Sequence, residues 1–376
     1  SSRRRHTRYP LVTGVQTCAL PICYNTAIAD VATTRSSLVI AVANNGSSVG
    51  FVNLGADNSF TGGITITGGT VQADSLARLG SAGPGVTGIS VTSTGGIFRW
   101  VTNGFDLSAV PGGVSIAGSG TLQLDTNSVS PTFTKGIGNY GAGSLQKNNS
   151  TSTLTLGPTN TYLGNTTNNG GTIILNGANP FNVGFSASGT ASSALFALNN
   201  ASTNILRLAT NSSIGGLSGT NTTTTSKSSA IVSLNGNILT LAGTSGSTFT
   251  GLLYGGDGVS GAGGILKIGS ALQKFSGTGI ANYTGTTEIR GGTLQFAHDV
   301  ITGDNNIIPT SSPLVLAGGT VELRGNSGTT RAGSFFSTTI GTGGSAVLTS
   351  NAGNSLTLNL GAIARPAAGE IGRAHV

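Results

Sequence analysis

The 376-residue chain is poor in charge, with 8% Asp, Glu, Lys and Arg, and rich in glycine, with 62 residues. Both cysteines, Cys18 and Cys23, and two of the three histidines lie near the ends, so a thiolate or imidazole metal cage and a disulfide framework are excluded for the interior. No apolar stretch approaches the roughly 20 residues of a membrane-spanning helix.

The two ends of the chain look like translated sequencing adapters. Residues 370–376 read EIGRAHV, and a DNA string that encodes them has a reverse complement that encodes residues 16–22 in another frame. We therefore expect residues 1–23 to be an unstructured artefact, residues 370–376 to be a second artefact, and residues 24–369 to be the region that can be interpreted. A secretory signal ending at a lipid-modified Cys23 is the weaker interpretation, because polar residues interrupt the apolar stretch.

Excluding the ends lowers the net charge from +7 to +3, because five of the 18 basic residues and one of the 11 acidic residues lie there. The remaining basic residues are scattered singly along the chain. A nucleic-acid partner is therefore not expected.

Short alternations of apolar and polar residues predict strands throughout the interior. In chain order, the predicted strands are residues 64–67, 89–93, 121–124, 153–156, 172–175, 230–234, 313–317 and 355–360. Gly or Asn bounds these strands, and no segment sustains the i, i+3, i+4 spacing of a helix. The sequence therefore predicts an all-β protein.

A repeated motif links these strands. An aromatic residue, one residue, Gly, five residues and then Gly-Gly-Thr recur at residues 60–70, 162–172 and 283–293. This repetition favours a right-handed parallel β-helix, in which about 14 coils stacked about 4.8 Å apart make a rod of roughly 65 Å. Val71, Ile173 and Leu294 are expected to point inward at the same corner of their coils.

The same residues resemble the passenger-associated transport repeat, or autotransporter-associated β-strand repeat, of bacterial surface proteins. The family pattern, roughly Asn-Thr-Tyr-Thr-Gly-x-Thr-x-Ile-x-x-Gly-Thr-Leu-x-Leu, is similar to residues 58–73, 160–175 and 282–296. Asn168 departs from it by standing where the other copies have Ile, and Asn282 lies one residue nearer its Tyr. An inward Asn168 is expected to need hydrogen bonds from neighbouring coils.

The resemblance implies a fragment of a secreted or surface-displayed autotransporter-like passenger that acts as a spacer or adhesin scaffold. It further implies an extracellular or cell-surface location, export by a C-terminal membrane β-barrel outside this chain, and partners among glycans or neighbouring cell surfaces. The region is expected neither to insert into a membrane nor to be an enzyme, and no metal or cofactor is expected.

The alternative function is a glycan-processing β-helical enzyme of the polysaccharide lyase or glycosidase type. Glycoside hydrolysis uses two carboxylates about 5 to 9.5 Å apart, whereas the ten acidic residues of the interior are thinly spread. Two or three carboxylates that met with a Lys or Arg in one groove would favour this alternative.

Two Glu-x-Arg pairs are the most regular charged feature, namely Glu288 with Arg290 and Glu322 with Arg324. Alternation in a strand places both charges of a pair on the outer face, so we expect a stacked surface ion ladder. His298 and Asp299 are the local groups that could add chemistry to it. Asp304 lies nearby in a GDNN sequence typical of a turn.

Three further patterns are assigned to structure. The GDGVSG sequence at residues 256–261 matches a dinucleotide-binding loop but lacks the strand and helix that such a loop joins. The preceding GGDG at residues 255–258 occurs once, whereas a calcium-binding solenoid repeats its Asp on every turn. Phe98 and Trp100 are expected to be core residues and not a sugar-stacking platform.

Overall fold

The structure, a computed structural model, describes residues 22–31, 34–41, 51–92, 96–102, 104–138, 141–148, 151–158, 160–177, 194–199, 203–219, 230–276, 281–298, 307–326, 330–350 and 355–365. Within these ranges the chain has 32 strands, two short 3-10 turns at Leu76–Leu79 and Leu107–Ala109, and no α-helix. Each strand predicted from the sequence overlaps an observed one.

The strands of the first half, in chain order, are β1 (Ile22–Tyr24), β2 (Leu38–Ala41), β3 (Phe51–Leu54), β4 (Ile64–Ala73), β5 (Ile89–Val91), β6 (Gly96–Trp100), β7 (Val114–Ile116), β8 (Thr121–Asp125), β9 (Ser144–Asn148), β10 (Thr153–Leu156), β11 (Thr166–Asn168), β12 (Gly171–Leu175), β13 (Leu195–Leu198), β14 (Asn204–Leu208), β15 (Ser212–Ile214) and β16 (Gly216–Gly219).

The strands of the second half are β17 (Ala230–Ser233), β18 (Ile238–Leu241), β19 (Ser247–Phe249), β20 (Leu252–Tyr254), β21 (Gly264–Lys267), β22 (Leu272–Ser276), β23 (Ala281–Asn282), β24 (Thr287–Ile289), β25 (Thr293–Ala297), β26 (Leu314–Leu316), β27 (Thr320–Arg324), β28 (Arg331–Ser334), β29 (Ser337–Ile340), β30 (Ala346–Ser350), β31 (Leu356–Asn359) and β32 (Ala362–Ala364). Strand β1 crosses the boundary that the sequence placed between residues 23 and 24.

These strands form a parallel β-helix with three faces. The first face is one continuous column of fourteen parallel strands: β1, β3, the second half of β4, β6, β8, β9, β11, β13, β16, β19, β22, β25, β27 and β30. Thirteen spacings of about 4.8 Å give this column a length of about 62 Å.

Where a coil has a second-face strand, that strand follows the first-face strand, and where it has a third-face strand, that strand precedes the first-face strand of the next coil. The second face consists of β10, β12, β14, β17, β20 and β23, with β28 and β31 continuing the same position in later coils. The third face consists of β2, the first half of β4, β5 and β7, and later of β15, β18, β21, β24, β26, β29 and β32.

The core runs along the axis, because alternate residues of each strand point inward. Phe98 and Trp100 are completely buried and pack edge to face with ring centroids 4.9 Å apart. The indole N–H of Trp100 donates to the carbonyl of Phe105 at 3.0 Å. The expectation that both residues belong to the core is confirmed.

The second copy of the motif occupies different faces from the other two. Copies one and three turn from the third face onto the first, whereas copy two turns from the first face, at β11, onto the second, at β12. Ile173 therefore lies on the second face, while Val71 and Leu294 lie on the first. The expectation that these three residues share one corner is wrong, because the motif specifies a local bend that occurs both from the third face to the first and from the first face to the second.

Candidate functional site

The aromatic residue of each motif is buried beneath its corner. The Tyr162 hydroxyl lies 2.7 Å from the Thr166 hydroxyl, and the Tyr283 hydroxyl lies 2.7 Å from that of Thr287. Burial raises the pKa of both tyrosines well above the ordinary value, although the threonine hydrogen bond opposes the shift. In copy one the same two positions hold Phe60 and Ile64, so an apolar pair replaces the hydroxyl pair.

The asparagine that precedes the aromatic residue joins backbone segments. Asn58 accepts from the N–H of Ile28 at 2.7 Å and donates to the carbonyl of Arg78 at 2.6 Å, which lie 30 and 20 residues away. Asn160 likewise accepts from the N–H of Ile137 at 2.9 Å and is 1% exposed. Asn282 is exposed, since its one-residue displacement reverses its direction in the strand.

Two lysines point into the interior and bind the glycine corners. Lys147 is completely buried, and its ammonium donates to the carbonyl of Gly170. Lys267 is 2% exposed and donates to the carbonyl of Gly269 and, at 3.4 Å, to that of Gly291. Gly170 and Gly291 are the first glycines of the Gly-Gly-Thr sequences in copies two and three. A lysine from the preceding coil thus binds each of these two corners.

Burial lowers the pKa of each lysine to about 8, and the Asp125 carboxylate partly opposes this shift at Lys147. Neither lysine was predicted from the sequence as an interior residue. A signal was present: Lys147 follows Leu145, and Lys267 follows Ile265, at the two-residue spacing of inward positions.

Asn168 is completely buried and hydrogen-bonded to the backbone, as expected for a polar residue in an inward position. Its amide donates to the carbonyl of Gly171 at 3.0 Å and to that of Ile205, in the next coil, at 3.3 Å. Its oxygen accepts from the N–H of Gly170 at 3.2 Å. The expectation that neighbouring coils supply hydrogen bonds is confirmed.

The two Glu-x-Arg pairs do not form the expected stacked ion ladder. Glu288 lies on β24 of the third face and pairs in register with Val315, whereas Glu322 lies on β27 of the first face. Arg290 binds Glu288 within its own pair at 2.5 Å, and Glu322 accepts from the hydroxyl of Ser350 at 3.1 Å. The sequence spacing of 34 residues does not match one coil here, so the pairs fall on different faces.

The carboxylates of Asp30 and Asp106 connect successive coils. Asp30 accepts from the N–H and the hydroxyl of Thr61, at 3.0 and 2.5 Å, and Asp106 accepts from the same groups of Thr134, at 3.0 and 2.5 Å. Thr61 follows the buried Phe60, and Thr134 follows the buried Phe133. The hydrogen bonds from Thr61 hold the pKa of Asp30 below its ordinary value.

Two carboxylates meet at one arginine on the surface. Arg78 binds Asp57 at 2.8 Å and Asp74 at 2.9 Å, with the two carboxylate side chains 75% and 40% exposed. The hydrogen bond from Arg78 lowers the pKa of Asp74, so Asp74 is a poor proton donor at neutral pH. This cluster resembles a surface ion-pair network more than the acid and base of a glycosidase.

The remaining candidate groups do not assemble around a groove. His298 is buried at the end of β25, and Asp299 and Asp304 lie outside the described residues. Asp257, within residues 256–261, binds Arg207 at 3.1 Å. A small cleft has no acidic residue in its lining. It is lined by Phe249, Gly251, Leu253, Phe275, Ser276, Ala281 and Ile307. Across the described ranges, no three His, Cys, Asp or Glu side chains cluster as a metal site requires.

The outer surface of the first face carries five hydrogen-bonded amides, which we call the amide ladder: Gln123, Gln146, Asn148, Asn169 and Asn199. Asn199 donates to Asn169 at 2.6 Å, Asn169 donates to Asn148 at 3.0 Å, and Asn148 donates to Gln123 at 3.0 Å. Gln146 also donates to Asn148, at 2.8 Å. The three bonds between coils all run in one direction along the axis.

Within the part of the chain that the structure places, no helix has the length and apolar character needed to cross a membrane. In comparisons with family models, with curated proteins and with solved structures, no match to this chain was found.

Proposed function

We propose that the chain is a structural and interaction rod of a secreted or surface-displayed, autotransporter-like protein, in which it serves as a spacer or adhesin scaffold. The observation that carries this proposal is the use of polar side chains between coils. Asn58, Asn168, Asp30 and Asp106 all bind groups that belong to a neighbouring coil. Because these side chains hold neighbouring coils together, they support a role that depends on a long, stiff shape.

The distribution of carboxylates supports the same proposal over a glycan-processing enzyme. A glycosidase requires one carboxylic acid that keeps its proton near neutral pH and a second carboxylate across the substrate. The pKa of Asp74 is lowered by its bond to Arg78, and Asp125 binds Arg99 at 2.6 Å. Arginine partners therefore occupy both carboxylates, and the lowered pKa of Asp74 disfavours its protonated form.

An export experiment tests the proposal. The chain is joined to an export signal and to an outer-membrane translocator domain, and its exposure on intact cells is measured by antibody labelling and protease accessibility. We expect a surface-exposed, β-rich rod. Retention inside the cell, or a compact sphere in small-angle scattering of the purified chain, contradicts it. Release of reducing ends from polysaccharides by the purified chain would favour the enzyme instead.

A further inference from the structure

We infer that the outer surface of the first face around the amide ladder binds an uncharged, hydroxyl-rich polysaccharide laid along the rod axis. This inference rests on the proposed role as an extracellular interaction rod and names the class of ligand that such a rod would take. The surface consists of the amide ladder and the small outward residues Thr167, Ala197 and Ser218 beside it.

The chemistry of the surface suits hydroxyl groups. Primary amides offer both donors and acceptors, which is what a sugar hydroxyl needs from a binding surface. The amides repeat with the coils, about 4.8 Å apart along the axis, so a linear polymer can make similar contacts with successive coils. Gln146 and Asn148 are partly exposed, and Asn199 is exposed, so the ladder can be reached from solvent.

The charge of the surface favours a neutral ligand. The register column that contains Asn148 continues to Asp125 and Arg99, and these two charges bind each other at 2.6 Å. They therefore cancel at the N-terminal end of the ladder. The ladder side chains themselves carry no charge, so neither an acidic nor a basic polymer finds a complementary field here.

The shape of the surface favours an extended ligand. Thr167, Ala197 and Ser218 are register neighbours on β11, β13 and β16, and all three point outward, since the residues on either side of each are buried. Their side chains are small, so this part of the sheet face is flat. The bonds between ladder amides hold the polar groups in place before binding, which lowers the entropy cost of ordering them on a ligand.

The inference is tested with the purified full chain and two classes of soluble polymer. Affinity electrophoresis in gels containing mannan, dextran or hydroxyethyl cellulose is compared with gels containing polygalacturonate. We expect retardation by at least one neutral polymer and none by the acidic one. Absence of retardation in all three neutral gels overturns the inference, and so does stronger retardation by polygalacturonate.

Two variants locate the binding surface. Ala197→Arg places a long side chain on the flat face without removing a ladder amide, and we expect affinity to fall about tenfold or more, as for loss of one good contact region. Thr155→Arg adds the same charge on the second face and is expected to bind as the parent does. Equal binding by both variants overturns the inference.

Folding and export are measured separately from binding. Circular dichroism and thermal unfolding of Ala197→Arg are expected to match those of Thr155→Arg, so that a loss of binding reports the surface. Export of the parent does not depend on a ligand. A chain that is exported but unbound by neutral polymers therefore refutes this inference alone, whereas a chain retained in the cell refutes the proposed function.

Discussion

Lys147 and Asn168 are register partners on adjacent strands. Both side chains form hydrogen bonds with the same glycine at the next corner. The lysine donates to the carbonyl of Gly170, and the N–H of Gly170 donates to the oxygen of Asn168 at 3.2 Å. In copy three, Lys267 and Ile289 hold the corresponding register. The buried lysine therefore occurs at both corners, whereas the asparagine is specific to copy two.

Asn168→Ile is expected to destabilise the protein although it restores the residue found in the other copies. The change removes the partner of three backbone groups in a buried site, so we expect the free energy of unfolding to fall by about 1–3 kcal/mol. Urea denaturation measures it. Thr167→Ala, one residue away on the outer surface, is the matched control and should change stability by less than about 0.5 kcal/mol. An unchanged midpoint for Asn168→Ile would show that these bonds do not contribute.

The reciprocal change, Ile289→Asn, is also expected to destabilise the protein. It buries an amide at a corner whose backbone has not been arranged to receive it, and an unpaired buried amide costs about 1–3 kcal/mol in proteins. The same denaturation experiment applies. A neutral result would mean that the two corners are interchangeable, contrary to the contacts seen at Asn168.

Stability is expected to rise with pH between about pH 8 and pH 10. Lys147 and Lys267 have a pKa of about 8 when folded, against an ordinary value of 10.5. Between these values the unfolded chain binds more protons than the folded chain, so the free energy of unfolding increases with pH. At higher pH this trend reverses, because tyrosines of the unfolded chain ionise while Tyr162 and Tyr283 stay neutral.

Urea denaturation at pH 7, 8, 9 and 10 measures the slope. The double variant Lys147→Met with Lys267→Met is expected to lose most of the rise, while Lys135→Met, an exposed lysine, is expected to keep it. A slope that persists in the double variant would assign the effect to other groups.

The hydroxyl pair of copy two can be transplanted into copy one. Phe60→Tyr alone buries a hydroxyl beside Ile64, and Ile64→Thr alone buries one beside Phe60, so each single variant is expected to lose stability. The double variant rebuilds the pair that Tyr162 and Thr166 form at 2.7 Å. A double-mutant cycle should show a favourable coupling of about 0.5–3 kcal/mol. Simple additivity would show that the two sites differ in geometry.

Two glycines with similar φ values allow the free-energy cost of a left-handed backbone to be distinguished from the cost of a steric contact. Gly171 has φ +70°, and a Cβ there would lie 2.3 Å from the carbonyl oxygen of Ser152. Gly236 has φ +78° with no atom within 4 Å of the same position. Gly236→Ala is expected to cost about 1–2 kcal/mol, and Gly171→Ala considerably more. Equal melting temperatures for the two variants would contradict the close approach.

The strands and the parallel stacking followed from the sequence, because alternation and repetition are local properties that each coil expresses by itself. The face on which each strand lies could not be predicted from the sequence, as Ile173 demonstrates. A corner is specified by neighbouring residues, but the face it occupies depends on the summed length of all preceding loops. For the same reason Glu288 and Glu322 lie on different faces, because their spacing in the sequence does not equal the length of one coil.

Asn168 could be predicted as an interior polar group because the other two copies hold Ile at its position. Lys147 and Lys267 also stand at the inward spacing of their strands, but a lysine is ordinarily assigned to the surface. Their burial depends on carbonyl groups of a corner that the chain reaches more than twenty residues later, which a single segment of sequence does not display.

The register partners of the first face are 19 residues apart between Asn53 and Gln72 and 30 residues apart between Gly219 and Phe249. Both steps nevertheless advance the stack by one strand spacing. The length of the rod is therefore set by the number of coils and not by the number of residues. An insertion at a corner changes the girth of the protein and leaves its length unaltered, whereas loss of one whole coil shortens it by about 4.8 Å.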